Sequence, residues 1–135
     1  MILVVDDHED TRYVLTRLLK KLDCESVGVS SGAEALLLLK SQQPKLIILD
    51  YNMPDMNGLE VLRSMRADPQ LSAIPVVMFS ADASPELQAA SFQAGAQGYV
   101  TKGSLDWAEL SVLIDRYACK TTGKPGTAND RGLEP

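Results

Sequence analysis

The sequence predicts a doubly wound α/β fold, in which a parallel sheet of five strands carries helices on both faces. Two observations predict it. Short apolar runs alternate with segments of helical spacing, and the first and third of these runs are apolar throughout. Strands that are apolar on both faces are typical of parallel sheets, whose strands are joined by right-handed helical crossovers.

Composition and charge exclude several classes of protein. The 135 residues suffice for one domain with a sizeable core, and the net charge of −5 disfavours a nucleic-acid surface. No apolar run reaches the roughly 18 residues of a membrane span, and no basic segment precedes the first run, so we expect neither a span nor a signal peptide. Cys24 and Cys119 lack metal-ligand spacing and are interpreted as thiols of a reducing cytoplasm.

Five strand-like runs are expected to form the sheet. In order along the chain they cover residues 2–5, 25–29, 45–49, 74–79 and 98–101. The third contains four consecutive apolar residues, Leu46 to Leu49, which indicates a strand buried on both faces. The second is weaker and is expected near an edge of the sheet.

Helical segments follow these strands. The first begins within residues 8–11, where acidic groups favour a helix start, and its apolar side chains recur at helical spacing. These side chains are Val14, Leu15, Leu18, Leu19 and Leu22. The second helix covers 33–40, is rich in leucine and has to end before Pro44, and the third covers 58–66.

Serine residues mark the starts of the last two helices. Ser84 is a capping residue followed by Pro85 at the first helical position, and that helix ends near Gly95. Ser104 caps the fifth helix. The expected apolar face of that helix consists of Leu105, Leu110, Leu113, Ile114 and Tyr117. Trp107, in its first turn, is interpreted either as a partly buried core residue or as an exposed partner contact.

The folded domain is expected to cover residues 1–118. Gly, Pro and polar residues dominate from about residue 119, so 119–135 is interpreted as a disordered tail or a truncated linker. At this size we expect the flavodoxin-like strand order 2-1-3-4-5. That order places the first and third strands beside the switch point, where ligands bind in such sheets.

Chemically reactive side chains follow four of the five strands. The first strand is followed by Asp6 and Asp7, the third by Asp50, the fourth by Ser80 and the fifth by Lys102. Asp50 alone could equally be a helix cap or a hydrogen-bonded strand end. Because parallel strands point their carboxyl ends to one edge of the sheet, the five side chains are expected to converge there, which favours a functional site.

The three carboxylates predict a site for a divalent cation. Close carboxylates repel each other, which raises their affinity for protons, and a bound cation removes this conflict. Oxygen ligands suit Mg²⁺ or Mn²⁺ and not zinc. Neither His8 nor the cysteines are placed for a softer site, and His8 is interpreted as a solvated residue at the start of the first helix.

A metal beside an aspartate favours phosphate chemistry. Phosphoryl transfer depends on charge neutralisation and positioning, and Asp50 can act as the nucleophile that forms an acyl phosphate. Lys102 can supply a point charge to one phosphoryl oxygen, and Ser80 can donate a hydrogen bond to another. The sequence has no glycine-rich phosphate loop, so a nucleotide is not the expected donor.

With these motifs the chain resembles the receiver domain of two-component response regulators, in the CheY-like superfamily. The resemblance covers about residues 1–118. It rests on Val4-Val5-Asp6-Asp7, Leu49-Asp50-Tyr51-Asn52-Met53-Pro54 with Gly58, Phe79-Ser80-Ala81, Tyr99 and Lys102. It implies a cytoplasmic signalling domain that is not an enzyme, except that it assists its own phosphorylation and dephosphorylation.

The resemblance also implies roles for individual residues. Asp50 would accept a phosphoryl group from a sensor histidine kinase or a histidine phosphotransfer protein, and Lys102 would pair with that group. Asp7, Asp50 and the backbone carbonyl of Asn52 would bind Mg²⁺ directly. Asp6 would act mainly through a metal-bound water.

Two further positions would form the switch. Ser80 would follow the phosphoryl group inward on activation, and Tyr99 would turn with it. Tyr99 can also be interpreted as an ordinary aromatic side chain on a short edge strand. Ala81 is small, which fits a family position that leaves the site accessible.

The resemblance implies that the signal leaves through the face made by the fourth helix, the fifth strand and the fifth helix. The output would be a downstream effector protein, an effector domain or a phosphorylation-dependent homodimer, with no direct contact to nucleic acid or membrane. Two alternatives stay open. One is a Mg²⁺-dependent phosphatase with an aspartyl nucleophile, although the Asp6-Asp7 pair lacks the spacing of such enzymes. The other is a receiver-like module that binds partners without phosphorylation.

One position departs from the family pattern. Members usually have proline after the lysine, often preceded by a cis peptide bond, and here that residue is Gly103. A cis bond before a residue other than proline costs roughly 3 kcal/mol. We therefore expect either a trans bond or a looser loop, which bears on the placement of Lys102.

Overall fold

A computed structural model describes residues 1–103 and 107–118 and confirms the alternating α/β architecture. The strands are β1 (Ile2–Val5), β2 (Ser26–Val29), β3 (Leu46–Leu49), β4 (Val76–Ser80) and β5 (Gly98–Thr101). The helices are α1 (Glu9–Lys21), α2 (Gly32–Leu38), α3 (Gly58–Ala67), α4 (Pro85–Gln93) and α5 (Trp107–Ala118). All strand pairs are parallel and the order is β2-β1-β3-β4-β5, as the sequence predicts.

The core consists of two apolar layers, one on each face of the sheet. Alternate residues of each strand enter opposite layers, so that Leu3 packs with α2, α3 and α4, whereas Ile2 packs with α1 and α5. All four residues of β3 are buried, as its uninterrupted apolar run predicts. Each fully buried aliphatic side chain of this kind contributes about 1.5–3 kcal/mol, so the central strands form a rigid base for their carboxyl ends.

Local signals at the helix starts agree with the structure. The Ser84 side chain accepts a hydrogen bond from the Leu87 backbone N–H, and Pro85 is the first residue of α4.

The strand β4 starts two residues later than predicted, since Pro75 has no N–H and Ile74 donates to Leu71 O in the preceding turn. The predicted cap at Ser104, the apolar Leu105, Cys119 and the predicted tail at 119–135 lie outside the described residues.

Trp107 belongs to the core in this structure. Its ring centroid lies 6.1 Å from that of Phe79, and its side chain packs partly buried against the layer that contains α1 and α5. The core interpretation of Trp107 is therefore correct.

None of the helices within the described residues is long and apolar enough to cross a membrane.

Candidate functional site

The carboxyl ends of β1 and β3 bring three aspartates together. Val5 pairs with Leu49 in the sheet, which places the next residues, Asp6 and Asp50, side by side. The Asp50 backbone N–H still donates to Val5 O at 2.9 Å, so the ladder extends to the site. Asp6 and Asp50 are buried, at 1% and 3% exposure, while the Asp7 side chain is 29% exposed. The aspartates therefore meet at one edge of the sheet, with two of them removed from solvent.

Lys102 reaches the same cluster from the end of β5. Its backbone N–H donates to Ser80 O at 2.7 Å, which joins the ends of β4 and β5. Its Nζ lies 2.7 Å from Asp6 Oδ2 and 3.5 Å from Asp50 Oδ1, and 5.9 Å from the centre of the Phe79 ring. One ammonium group thus bridges two buried carboxylates.

The peptide bond that follows Lys102 is trans, which is one of the two outcomes that the sequence predicts. No cis peptide bond occurs among residues 1–103 and 107–118, so the bond between Lys102 and Gly103 is trans. A Cβ atom added at Gly103 would meet no atom within 4 Å. The absence of proline at this position therefore does not prevent the Lys102 ammonium from reaching Asp50.

Burial makes Asp50 a weaker acid than an exposed aspartate. Burial is the largest cause that raises the pKa of Asp50 to about 6, and the negative charge of Asp6 is the second. The positive charge of Lys102 opposes this rise. Asp50 is therefore largely ionised at pH 7 and largely protonated at pH 5. Only the ionised form has a free electron pair suited to nucleophilic attack on phosphorus.

Two carboxylate oxygens at the site fit a divalent cation. Asp7 Oδ1 and Asp50 Oδ2 are buried and accept no hydrogen bond from any residue that the structure describes. A buried charged oxygen without a partner is costly, and carboxylates of this kind are the ligands that Mg²⁺ and Mn²⁺ prefer. Oxygens of Asp6, Asp7 and Asp50 belong to a group of ligand atoms that lie within 4.8 Å of one another.

Asp6 differs from the other two aspartates because both of its oxygens are already engaged. Its Oδ1 accepts a hydrogen bond from the His8 backbone N–H at 2.9 Å. Its Oδ2 forms the ion pair with Lys102, at 2.7 Å from Nζ. This arrangement suits a carboxylate that acts on a metal through water.

His8 is a solvated residue at the start of α1, as the sequence predicts, but its ring also contacts two carboxylates of the site. His8 is the N-cap of α1 and its side chain is 66% exposed, but it makes no capping hydrogen bond. Instead its Nδ1 lies 3.2 Å from Asp6 Oδ1 and 3.2 Å from Asp7 Oδ1. The backbone bond from His8 to Asp6 folds the chain tightly and turns the ring towards the carboxylates.

Ser80 and Tyr99 are both buried and share one partner. Ser80 Oγ accepts a hydrogen bond from the Asp82 N–H at 3.1 Å, and the Tyr99 hydroxyl donates to Asp82 O. Tyr99 is 8% exposed although β5 is an edge strand, and burial raises the pKa of its phenol while a hydrogen bond with Ser80 opposes that rise. Asn52 lies two residues after Asp50 and is exposed. The switch role of Ser80 and Tyr99 and the ligand role of the Asn52 carbonyl stay predictions.

Sequence reasoning missed two residues that support the site. Arg12 Nη1 donates to Asp6 O at 2.7 Å, a contact that the helical spacing of α1 does not predict. Asp55 accepts from Ala33 N–H at 2.8 Å and Gly32 N–H at 3.3 Å, which ties the loop after Asp50 to the start of α2. Asp55 lies 22 residues from Ala33, so no local signal marks this contact.

Gly58 is required because the backbone that carries Asp50 approaches it closely. A Cβ at Gly58 would lie 2.5 Å from Asp50 O and 2.9 Å from Met78 Cε. We expect Gly58→Ala to lower the free energy of unfolding by about 1–3 kcal/mol, measured by urea denaturation. Gly103→Ala is the matched control, expected to change stability by less than about 0.5 kcal/mol. Equal stability of the two variants would contradict this packing.

The fold and the acidic site define the class of protein. A five-stranded flavodoxin-like sheet ends in a cluster of three carboxylates, two of them buried and paired with one lysine. Residues 2–115 match the family model described as the response regulator receiver domain, and the chain belongs to that family. It is therefore a signalling domain of the two-component type.

Particular relatives support this assignment. The chain is 36% identical over 102 residues to the chemotaxis protein CheY-3 of Vibrio cholerae, which covers 75% of this chain and 78% of that protein. It is 39% identical over 116 residues to the sensory/regulatory protein RpfC of Xanthomonas campestris, a match to 84% of this chain and only 16% of RpfC. The response regulator TrrA of Thermotoga maritima, solved in complex with Mg²⁺ and BeF, superposes with a TM-score of 0.76 at 31% identity, covering 86% of this chain and 96% of TrrA.

Proposed function

We propose that Asp50 accepts a phosphoryl group from a histidine kinase or a histidine phosphotransfer protein, in a reaction that needs Mg²⁺ or Mn²⁺. One observation carries the proposal. Asp50 is buried and its Oδ2 accepts no hydrogen bond from the described residues, yet two further aspartates and an ammonium group adjoin it. A structural role would leave no reason to gather these charges at one sheet edge.

The residues that would hold the metal are Asp7, Asp50 and the backbone carbonyl of Asn52, with Asp6 acting through water. When bound, the cation would neutralise charge on the phosphoryl oxygens and hold them in line with the acceptor. The close ion pair of Asp6 with Lys102 and the buried, unbonded Oδ2 of Asp50 support this division of roles. The Mg²⁺ complex of TrrA supports the choice of ion.

The chain's own groups perform the transfer. A carboxylate oxygen of Asp50 attacks phosphorus, an O–P bond forms, and the bond from phosphorus to the donor nitrogen breaks with its electron pair leaving on that nitrogen. Lys102 supplies positive charge to a phosphoryl oxygen, and its ion pair with Asp6 fixes the ammonium nearby. The Ser80 hydroxyl donates a hydrogen bond to a second phosphoryl oxygen.

The output would leave through α4, β5 and α5. Ser80 and Tyr99 both contact Asp82, in the loop that leads into α4, so a displacement of Ser80 reaches that loop directly. Phe92 on α4 and Val112 on α5 are 50% and 55% exposed. These exposed apolar side chains are suited to contact with an effector protein, an effector domain or a second copy of the chain.

The test is intact-mass measurement of the chain with phosphoramidate, a small N–P phosphodonor, with and without Mg²⁺. We expect one labile phosphoryl group per chain, because the N–P bond of phosphoramidate resembles that of phosphohistidine. Labelling is expected only when Mg²⁺ is present. Continuous multiple turnover of small phosphate esters would contradict the receiver role and favour a phosphatase. Metal binding without any labelling would favour a phosphorylation-independent binding module.

A further inference from the structure

His8 gives the acidic site a nitrogen atom in addition to its oxygens. The imidazole Nδ1 lies 3.2 Å from Asp6 Oδ1 and 3.2 Å from Asp7 Oδ1. The ring is 66% exposed and does not cap α1, and a hydrogen bond between Nδ1 and Asp6 Oδ1 holds it at the site. Its contacts are with the two carboxylates that follow β1.

The distance of 3.2 Å from His8 Nδ1 to Asp7 Oδ1 is close to the spacing of neighbouring ligands on one metal ion. In an octahedral site with bonds of about 2.1 Å, neighbouring ligands lie about 3 Å apart and opposite ligands about 4.2 Å apart. The His8 nitrogen is 3.2 Å from each of two carboxylate oxygens, and the ligand atoms of His8, Asp6, Asp7 and Asp50 all lie within 4.8 Å of one another. Small rotations of these side chains would bring the nitrogen into the coordination shell.

A second observation points to a ligand at this place independently of the histidine. Asp50 is 97% buried, since its exposure is 3%, and its Oδ2 accepts no hydrogen bond from any described residue. Asp7 Oδ1, one of the two oxygens beside the imidazole, is likewise buried and unbonded. The nitrogen therefore lies next to an oxygen that is itself available to a cation.

We infer that His8 makes this site prefer divalent first-row transition ions such as Co²⁺ and Zn²⁺ over Mg²⁺, by binding them through Nδ1. Imidazole nitrogen is a good ligand for these ions, whereas Mg²⁺ favours oxygen ligands and retains water. With Mg²⁺ the coordination position is filled by water, and with Co²⁺ or Zn²⁺ the imidazole replaces that water. The inference rests on the proposed metal site and adds a specificity-determining residue to it.

The test is a comparison of dissociation constants for Mg²⁺, Co²⁺ and Zn²⁺, measured by calorimetry on the wild-type chain, His8→Gln and the control Glu9→Gln. Glu9 adjoins His8 and is exposed in the first turn of α1. We expect His8→Gln to weaken Co²⁺ and Zn²⁺ binding by about 10–100-fold. We expect its Mg²⁺ affinity to change less than about twofold, because Mg²⁺ does not take the imidazole. Glu9→Gln is expected to leave the ratio of affinities unchanged.

A spectroscopic readout makes the test independent of protein stability. Pulsed electron paramagnetic resonance of Co²⁺ bound to the wild-type chain is expected to show coupling to a directly bound nitrogen, absent in His8→Gln. A wild-type spectrum without nitrogen coupling, or an equal loss of Mg²⁺ and Co²⁺ affinity in His8→Gln, would overturn the inference. No phosphodonor is used, so failure of Asp50 to be phosphorylated and failure of His8 to bind metal are separate results.

Discussion

Asp50→Asn is expected to abolish phosphorylation and, at the same time, to stabilise the metal-free protein at neutral pH. The amide has no ionisable oxygen and cannot form the acyl phosphate, so labelling falls to the background. The variant also removes a buried negative charge whose pKa is raised, chiefly by burial, to about 6. The same residue therefore sustains the reaction and destabilises the fold.

The pH dependence of this stabilisation has a definite sign. Between about pH 4 and pH 6 the folded chain binds more protons at Asp50 than the unfolded chain does, because the folded pKa is the higher one. Stability of the wild type therefore falls as the pH rises through this window and remains reduced above it. The advantage of Asp50→Asn is small near pH 4 and complete above about pH 7.

The magnitude can be bounded. A pKa shift of this size corresponds to roughly 3 kcal/mol, which we discount to about 1–2 kcal/mol because water at the rim of the site screens the charge. Urea denaturation with a chelator present, at pH 4.5 and pH 7.5, measures the difference. Asp10→Asn, which removes an exposed carboxylate, is the control and should show no such gain. A loss of stability at pH 7.5 in Asp50→Asn would contradict the electrostatic description of the site.

Lys102→Met is expected to slow phosphorylation by about 100-fold or more, because it removes the positive charge that a phosphoryl oxygen would meet. Its Nζ is 2.7 Å from Asp6 and 3.5 Å from Asp50. Without it the pKa of Asp50 rises further, since the Lys102 charge lowers that pKa in the wild type. The pH at which phosphorylation reaches half its maximal rate should therefore move upward.

The stability of Lys102→Met provides a second readout. Two buried carboxylates lose a shared cation, so we expect the metal-free variant to be less stable by about 1–3 kcal/mol at pH 7.5. Added Mg²⁺ should restore part of this loss. Lys45→Met is the control, because Lys45 is exposed and precedes β3 at the opposite edge of the sheet. Similar labelling rates for the two methionine variants would exclude a role for Lys102.

Much of the fold was predictable because its causes are local. The four apolar residues of β3 identify a strand buried on both faces, and Ser84 with Pro85 identifies the start of α4. Parallel pairing then sends every strand's last residues to one edge, which is why the meeting of Asp6 and Asp50 followed from the sequence.

The remaining features depend on tertiary contacts or on side-chain rotation. Asp55 bonds to the start of α2 from 22 residues away, and no sequence pattern relates the two. Arg12 turns from its helix to the Asp6 carbonyl, and the His8 ring turns towards two carboxylates. The distance from the Lys102 ammonium to Asp50 depends on the conformation of the loop at Gly103. The sequence did not determine that conformation, because the family's usual proline is absent here.

The most direct test of the central claim is to locate the phosphoryl group. Borohydride reduces an aspartyl phosphate to homoserine, so peptide mass spectrometry after labelling and reduction identifies the acceptor. We predict homoserine at position 50 in the labelled chain, with Asp6 and Asp7 unmodified and no product when Mg²⁺ is withheld. Homoserine at position 6 or 7, or a phosphoryl group on His8, would contradict the assignment of Asp50 as the acceptor.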